Sequence, residues 1–217
     1  MLRRNRDFCN PGMGHVVSAR PAYDWRPVQR RHPRFRRRTD KTMADYPSHL
    51  ARKRYLFDGT EVMIRPIRAE DAPLEQEFVR HLSDDSRYNR FMSELRELSP
   101  TKLKYFTQID YDRHMAFVAT VAHDGGELEI GVARYASGAT GDTCEFAVAV
   151  DDAWQGSGVA GLLMLALMDA ARERGFHTME GYVLVQNHKM LKFARQLGFA
   201  VHRDPESGDT LRVVRLL

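Results

Sequence analysis

Six consecutive residues, Gln155-Gly156-Ser157-Gly158-Val159-Ala160, stand between a run of β-forming residues and the most apolar helical segment of the chain. Glycines in that position leave successive backbone N–H groups uncovered at a helix N-terminus, where partial positive charge favours an anion such as a diphosphate. An anionic cofactor is therefore expected at this turn. Gly156, Gly158 and Gly161 also satisfy G-x-G-x-x-G, and Glu180 follows at about the interval of 20 residues that a dinucleotide fingerprint requires. That reading fails on spacing. In a dinucleotide fold the first glycine follows its strand almost at once, whereas Asp151-Asp152-Ala153-Trp154-Gln155 intervene here, and too little chain follows for a full nucleotide-binding sheet.

The turn has to be held by the elements on either side. Gly158 to Arg174 carries Leu162, Leu163, Ala166, Leu167 and Ala170 at three- and four-residue spacing, has basic residues in its last turn and stops at Gly175, which predicts a helix. Upstream, Met115 to Ala122, Glu129 to Tyr135 and Thr143 to Val150 read as strands, separated by Asp124-Gly125-Gly126 and by Ser137-Gly138-Ala139-Thr140-Gly141. A three-stranded meander is the expected result. Val62 to Ile67 predicts an earlier strand, with Pro66 marking an edge or an end. Ala69 to Leu82 predicts a helix facing inward through Leu74, Phe78 and Leu82, and Ser99-Pro100 opens a short helix bearing Leu103 and Phe106. After the cofactor turn come a strand over Thr178 to Leu184 and a helix over Asn187 to Leu197 with Met190, Leu191, Ala194 and Leu197 inward. A terminal strand pair, Phe199 to His202 and Thr210 to Leu216, turns at Ser207-Gly208. This order predicts one mixed α/β domain built on a central, mostly antiparallel sheet flanked by helices.

Composition narrows the class further. The 217 residues are 43% hydrophobic and 29% charged, an ordinary balance for a globular domain, and no segment reaches the apolar length of a spanning helix. Cys9 and Cys144 are far apart in unlike contexts, so neither a disulfide framework nor a cysteine zinc site is expected, and a reducing, cytoplasmic location follows. The nine histidines form no ligand-spaced pair, so no metal is expected. Charge is uneven. Eleven arginines and Lys41 against three aspartates give residues 1–42 a net charge of +9, which leaves −5 for residues 43–217 within the total of +4. The first segment, with Arg30 to Arg38 nearly all basic and four prolines, is expected to be a disordered extension, since it has too little apolar surface to offset the entropy of ordering. Met43-Ala44-Asp45 suits an alternative start. Nucleic-acid binding or targeting by the arm are the lesser readings, and residues 43–217 are expected to form the domain.

Gln155, Gly158 and Ala160, followed by Asn187 and then Leu197-Gly198-Phe199, resemble the acyl-CoA-binding signature of the GNAT N-acetyltransferase superfamily. Three further stretches, Leu82 to Tyr88, Arg96 to Pro100 and Thr107 to Asp112, are similar to the acetyltransferase domain of bacterial Pat-type protein lysine acetyltransferases, which modify an active-site lysine of acyl-CoA synthetases. The resemblance implies acetyl-CoA as co-substrate, bound along Val148 and Val150, across Gln155, Gly156, Ser157, Gly158, Val159 and Ala160, and by Asn187 on the pantetheine arm. A protein lysine is the implied acceptor and an acyl-CoA synthetase the implied partner. No fused sensor domain is expected.

The chemistry itself demands a base. A lysine with a pKa of about 10.4 is almost wholly protonated at pH 7, and freeing its lone pair costs about 4 to 5 kcal/mol. By resemblance the base is Glu145, on the strand before the cofactor turn and on the opposite side from Phe146, Val148 and Val150. A backbone N–H at or near Val148 is the implied donor to the oxyanion. Many members place a tyrosine four residues before the final Gly-Phe to protonate the leaving thiolate. Ala194 occupies that place, so the acid is unassigned, with Tyr182 or a water as candidates. Cys144 alternates away from Glu145 and is expected to be an inert, buried thiol. Asn187 is also a natural helix cap, and Lys189, Lys192 and Arg195 form a solvated stripe that could reach a cofactor phosphate. Acceptor choice is expected to lie around Ser83 to Arg96 and Ser137 to Asp142. Two alternatives stand beside this reading: a small-molecule amine N-acetyltransferase, and a non-catalytic acyl-CoA-binding regulator.

Overall fold

The computed structural model describes residues 45–137, 141–205 and 207–217. The basic extension over 1–42 and residues 138–140 of the expected turn lie outside them. Eight strands form one sheet: β1 (Arg52–Tyr55), β2 (Glu61–Pro66), β3 (His114–His123), β4 (Gly126–Ser137), β5 (Thr143–Val150), β6 (Thr178–Leu184), β7 (Ala200–Arg203) and β8 (Thr210–Leu216). Their spatial order is β1-β2-β3-β4-β5-β6-β8-β7. Every neighbouring pair is antiparallel except β5 with β6, so the sheet is mixed and mostly antiparallel, as expected. The helices are α1 (Ala72–His81), α2 (Asp84–Phe91), α3 (Pro100–Thr107), α4 (Val159–Glu173) and α5 (His188–Gln196).

Alternation along β3 divides the core in two. Met115, Phe117 and Ala119 face the larger cluster with Leu163, Met164, Leu167 and Met168 of α4, whereas Ala116 and Val118 face Phe78 and Val79 of α1 and Leu98. Pro66 closes β2 beyond the last residue that β1 pairs, where its missing N–H breaks no ladder bond on that side. α1 departs from its expected face. Phe78 and Leu82 are buried, but Leu74 is only half-buried, and Glu75 sits fully inside because Arg134 of β4 meets its Oε1 at 2.8 Å. The same layer holds Arg65 bidentate on Asp71 at 2.6 and 2.8 Å and also against Glu127 at 2.7 Å.

Candidate functional site

A β-bulge sets where the cofactor turn begins. Between Ala119↔Gly131 and Thr120↔Glu129 the register of β3 and β4 slips around Ile130. The Ile130 carbonyl then accepts from the Asp151 N–H at 3.0 Å, just where the chain leaves β5. A short 3₁₀ turn over Asp152–Trp154 leads into Gly156 and Gly158, whose φ angles of 81° and 100° are strained for any residue with a side chain. Gly158 is the N-cap of α4 and brings no capping side chain, so the first backbone N–H groups of the helix stay open. Val159 is turned into the core, and Ser157 donates both its hydroxyl and its N–H to the Trp154 carbonyl, at 2.6 and 3.3 Å, so neither of these two expected cofactor-binding residues borders the opening.

The second device is the parting of β5 and β6. They pair only at Thr143↔Thr178, Cys144↔Met179 and Glu145↔Glu180. Beyond Glu180 the strands are held apart by Phe146. Its ring lies over Gly181, where an added Cβ would fall 2.8 Å from the ring carbon, and it packs against Phe199 at 5.0 Å between centroids. The gap opens into a cleft of about 1760 Å³ bordered by Glu145, Val148, Val150, Gln155, Gly156, Gly158, Ala160 and Asn187. Asn187 caps α5, its Oδ1 accepting from the Met190 N–H at 3.0 Å. Lys189 and Lys192 border the cleft, and Tyr182 lies on its β6 wall. Ala194 is fully buried on the core side of α5. Cys144 is inaccessible to solvent, and burial pushes its thiol up to about 12, which leaves it protonated and unreactive.

Glu145 occupies the last paired position, where the cleft begins. Burial, then the charge of Glu180 across the strand pair, raises its carboxyl from 4.5 to about 7, with Arg90 partly opposing. Glu180 is itself engaged by Arg212, whose Nε donates to it at 2.8 Å. A carboxyl near neutrality can both accept and release a proton at physiological pH.

The wall at the far end of the cleft falls within Ser83 to Arg96, where acceptor choice is expected to lie, but no residue pattern predicts a helix there. α2 supplies it, although its eight residues carry no apolar stripe. The helix is started by Ser83, whose Oγ accepts from the Ser86 N–H at 3.2 Å, and by Asp152 from the cofactor turn. Asp152 accepts from the Ser83 N–H at 2.8 Å and from the hydroxyls of Ser83 and Ser86 at 2.9 and 2.7 Å. The Gln155 side chain joins in, donating to Asp152 and to Ser86 at 3.2 Å each. The wall that α2 completes is aromatic and basic. Phe91 and Phe106 stack at 6.4 Å, Arg134 lies 4.1 Å over Phe106, and His114 stacks on Tyr105 at 5.0 Å. Burial, then the charge of Arg134, drives His114 down to about 3, so it is neutral.

Residues 77–199 match the Acetyltransferase (GNAT) family. Acetyltransferase PA5475 of Pseudomonas aeruginosa is 41% identical over 162 residues, covering 75% of this chain and 86% of that protein. The crystal structure of the GNAT domain of S. lividans PAT is 31% identical and superposes with a TM-score of 0.73 over 80% of this chain and all of that one. The structure of yncA from Salmonella typhimurium with its cofactor acetyl-CoA shares the fold at 21% identity and a TM-score of 0.58, over 72% of this chain and 94% of that one. With the family match spanning more than half of its length, on a sheet that opens between β5 and β6 above a glycine turn, the chain belongs to the GNAT family of acetyltransferases.

Proposed function

We propose that the protein transfers an acetyl group from acetyl-CoA to a protein lysine by direct attack within a ternary complex, with Glu145 as general base. The observation that carries this reading is the position of Glu145, at the mouth of the β5–β6 gap and in one cleft with the Gly156–Gly158 turn, with its carboxyl raised to about 7. The open N–H groups of the turn and of α4 suit the diphosphate of the co-substrate, and the gap suits its pantetheine arm, with Asn187 alongside. In the reaction the amine nitrogen forms a bond to the thioester carbon and the carbon–sulfur bond breaks. The amine proton passes to Glu145, directly or through a water, and the thiolate leaves. From Phe146 onward the edge of β5 that faces β6 is not paired with it, so a backbone N–H near Val148 is available to the carbonyl oxygen as negative charge builds.

The lysine acceptor is supported by the three stretches shared with Pat-type enzymes and by the 31% identity to the S. lividans PAT domain. Among the described residues no helix is long and apolar enough to cross a membrane. A cytoplasmic setting suits a chain whose buried cysteine stays a thiol. The test is incubation of the full chain with acetyl-labelled coenzyme A and a cell extract, fractionated into macromolecules and metabolites, beside Glu145→Gln. Label in protein that depends on Glu145 supports the reading. Label confined to metabolites moves the acceptor to small amines, and equal labelling by the variant removes Glu145 as base.

A further inference from the structure

Two guanidinium groups stand at the acceptor end of the cleft, in different electrical situations. Arg134 donates to Glu75 at 2.8 Å and to the Phe106 carbonyl at 3.1 Å, so its charge is already matched inside the protein. Arg90, in the last turn of α2, lies 4.9 Å from the centre of the Phe91 ring and 5.9 Å from that of Phe106. Among the described residues it has no ion pair or hydrogen bond, although it borders the cleft and is half-buried. Withdrawal from water and repulsion by Arg134 weaken its hold on its proton by more than the charges of Glu75 and Glu145, neither of which bonds to it, restore. A charge so placed lacks its counter-ion.

The geometry also shows what kind of group is missing. A guanidinium laid on aromatic rings leaves its N–H edge free, and that planar edge matches a carboxylate through two parallel hydrogen bonds. Glu145 is not that partner: no ion pair joins them, and a direct pair would hold its carboxyl low instead of near neutrality. His114, neutral on the same wall, contributes no second positive charge.

We propose that Arg90 determines acceptor specificity, selecting amines that carry a carboxylate close to the reacting nitrogen; this rests on the acetyl-transfer reading above. The carboxylate comes either from an acidic side chain beside the target lysine or from the α-carboxylate of a free amino acid, and both present the same group to the same edge.

The test measures binding apart from turnover. Full-length protein saturated with coenzyme A is titrated calorimetrically with four probes: the blocked peptides Gly-Glu-Lys-Gly and Gly-Gln-Lys-Gly, and leucine and leucinamide. At least one carboxylate probe should bind about tenfold or more tightly than its amide partner, the range expected for charge-assisted hydrogen bonds. The pair that shows the preference identifies the source. Arg90→Gln should bring that ratio to near unity, while Arg90→Lys, which keeps the charge but not the planar edge, should retain part of it. Equal binding within both pairs by the unaltered protein overturns the proposal, as does a ratio unchanged in Arg90→Gln. The same probes are then offered with acetyl-CoA. Carboxylate-selective binding without acetylation of any amine would overturn the transferase reading while upholding the anion subsite.

Discussion

Glu145→Gln should abolish most turnover and, at the same time, stabilise the protein in a pH-dependent way. The glutamate is raised from 4.5 to about 7 on folding, first by burial and then by Glu180. At 1.36 kcal/mol per pH unit this places a penalty of about 3 kcal/mol on its ionised form in the native state. The folded state holds the proton more tightly than the unfolded one, so the sign follows from linkage. Below about pH 4.5 both states are protonated and no penalty exists. As pH rises through 7 the wild type loses about 3 kcal/mol that the glutamine variant does not. For a chain of this size, at about 2 to 4 °C per kcal/mol, the variant should match the wild type near pH 4.5 and melt some 5 to 10 °C higher at pH 8.5. Thermal melts of both proteins across that range measure the difference directly. The acid limb of kcat/KM in the wild type should fall with an apparent pKa near 7. A melting difference that stays constant between pH 4.5 and 8.5 would refute the argument, because it would mean that Glu145 titrates alike in the folded and unfolded chain.

Three further substitutions test how the cleft is built. Gly181→Ala puts a methyl 2.8 Å from the Phe146 ring, an overpacking that should cost about 1 to 3 kcal/mol by urea denaturation and raise the KM for acetyl-CoA by disturbing the β5–β6 gap. Asp152→Ala removes the acceptor of three hydrogen bonds at the start of α2, which should cost about 1 to 2 kcal/mol and raise the KM for the acceptor more than that for acetyl-CoA. Desolvation is outweighed at Asp152 by the hydrogen bonds from Ser83 and Ser86, which keep its pKa below 3.8. Its contribution should therefore be constant from pH 5 to 8 and fade only in stronger acid. Glu75→Ala strands the buried Arg134 guanidinium, and a loss of about 3 to 5 kcal/mol in denaturant is expected. A loss below 1 kcal/mol would mean that Arg134 finds another partner.

Legibility in the sequence followed where the stabilising contacts lie. α4 and α5 were evident because their apolar residues repeat on one face, and the cofactor turn because glycines at positive φ leave a local trace. β1 was missed since all four of its residues are exposed, so its extended state comes from pairing with β2 and not from any pattern of its own. α2 was missed for a related reason. With none of its residues buried, its start depends on Asp152, 69 residues from Ser83, and a cap supplied across that distance cannot be inferred from neighbours. The site divides in the same way. The resemblance named Glu145, but the property that fits it to neutral pH comes first from its burial in the assembled sheet and then from Glu180, brought opposite by a parallel pairing of three residues. Arg90 had only its place in a polar stretch until α2 turned it toward Phe91 and Phe106, beside an arginine already neutralised by Glu75. On the proposed reading, binding of co-substrate is written mainly in one contiguous turn, whereas base strength and acceptor choice depend on long-range pairings. Relatives that keep the Gln155–Ala160 turn should therefore share acetyl-CoA while differing in acceptor, wherever the residues opposite Glu145 or in the last turn of α2 differ.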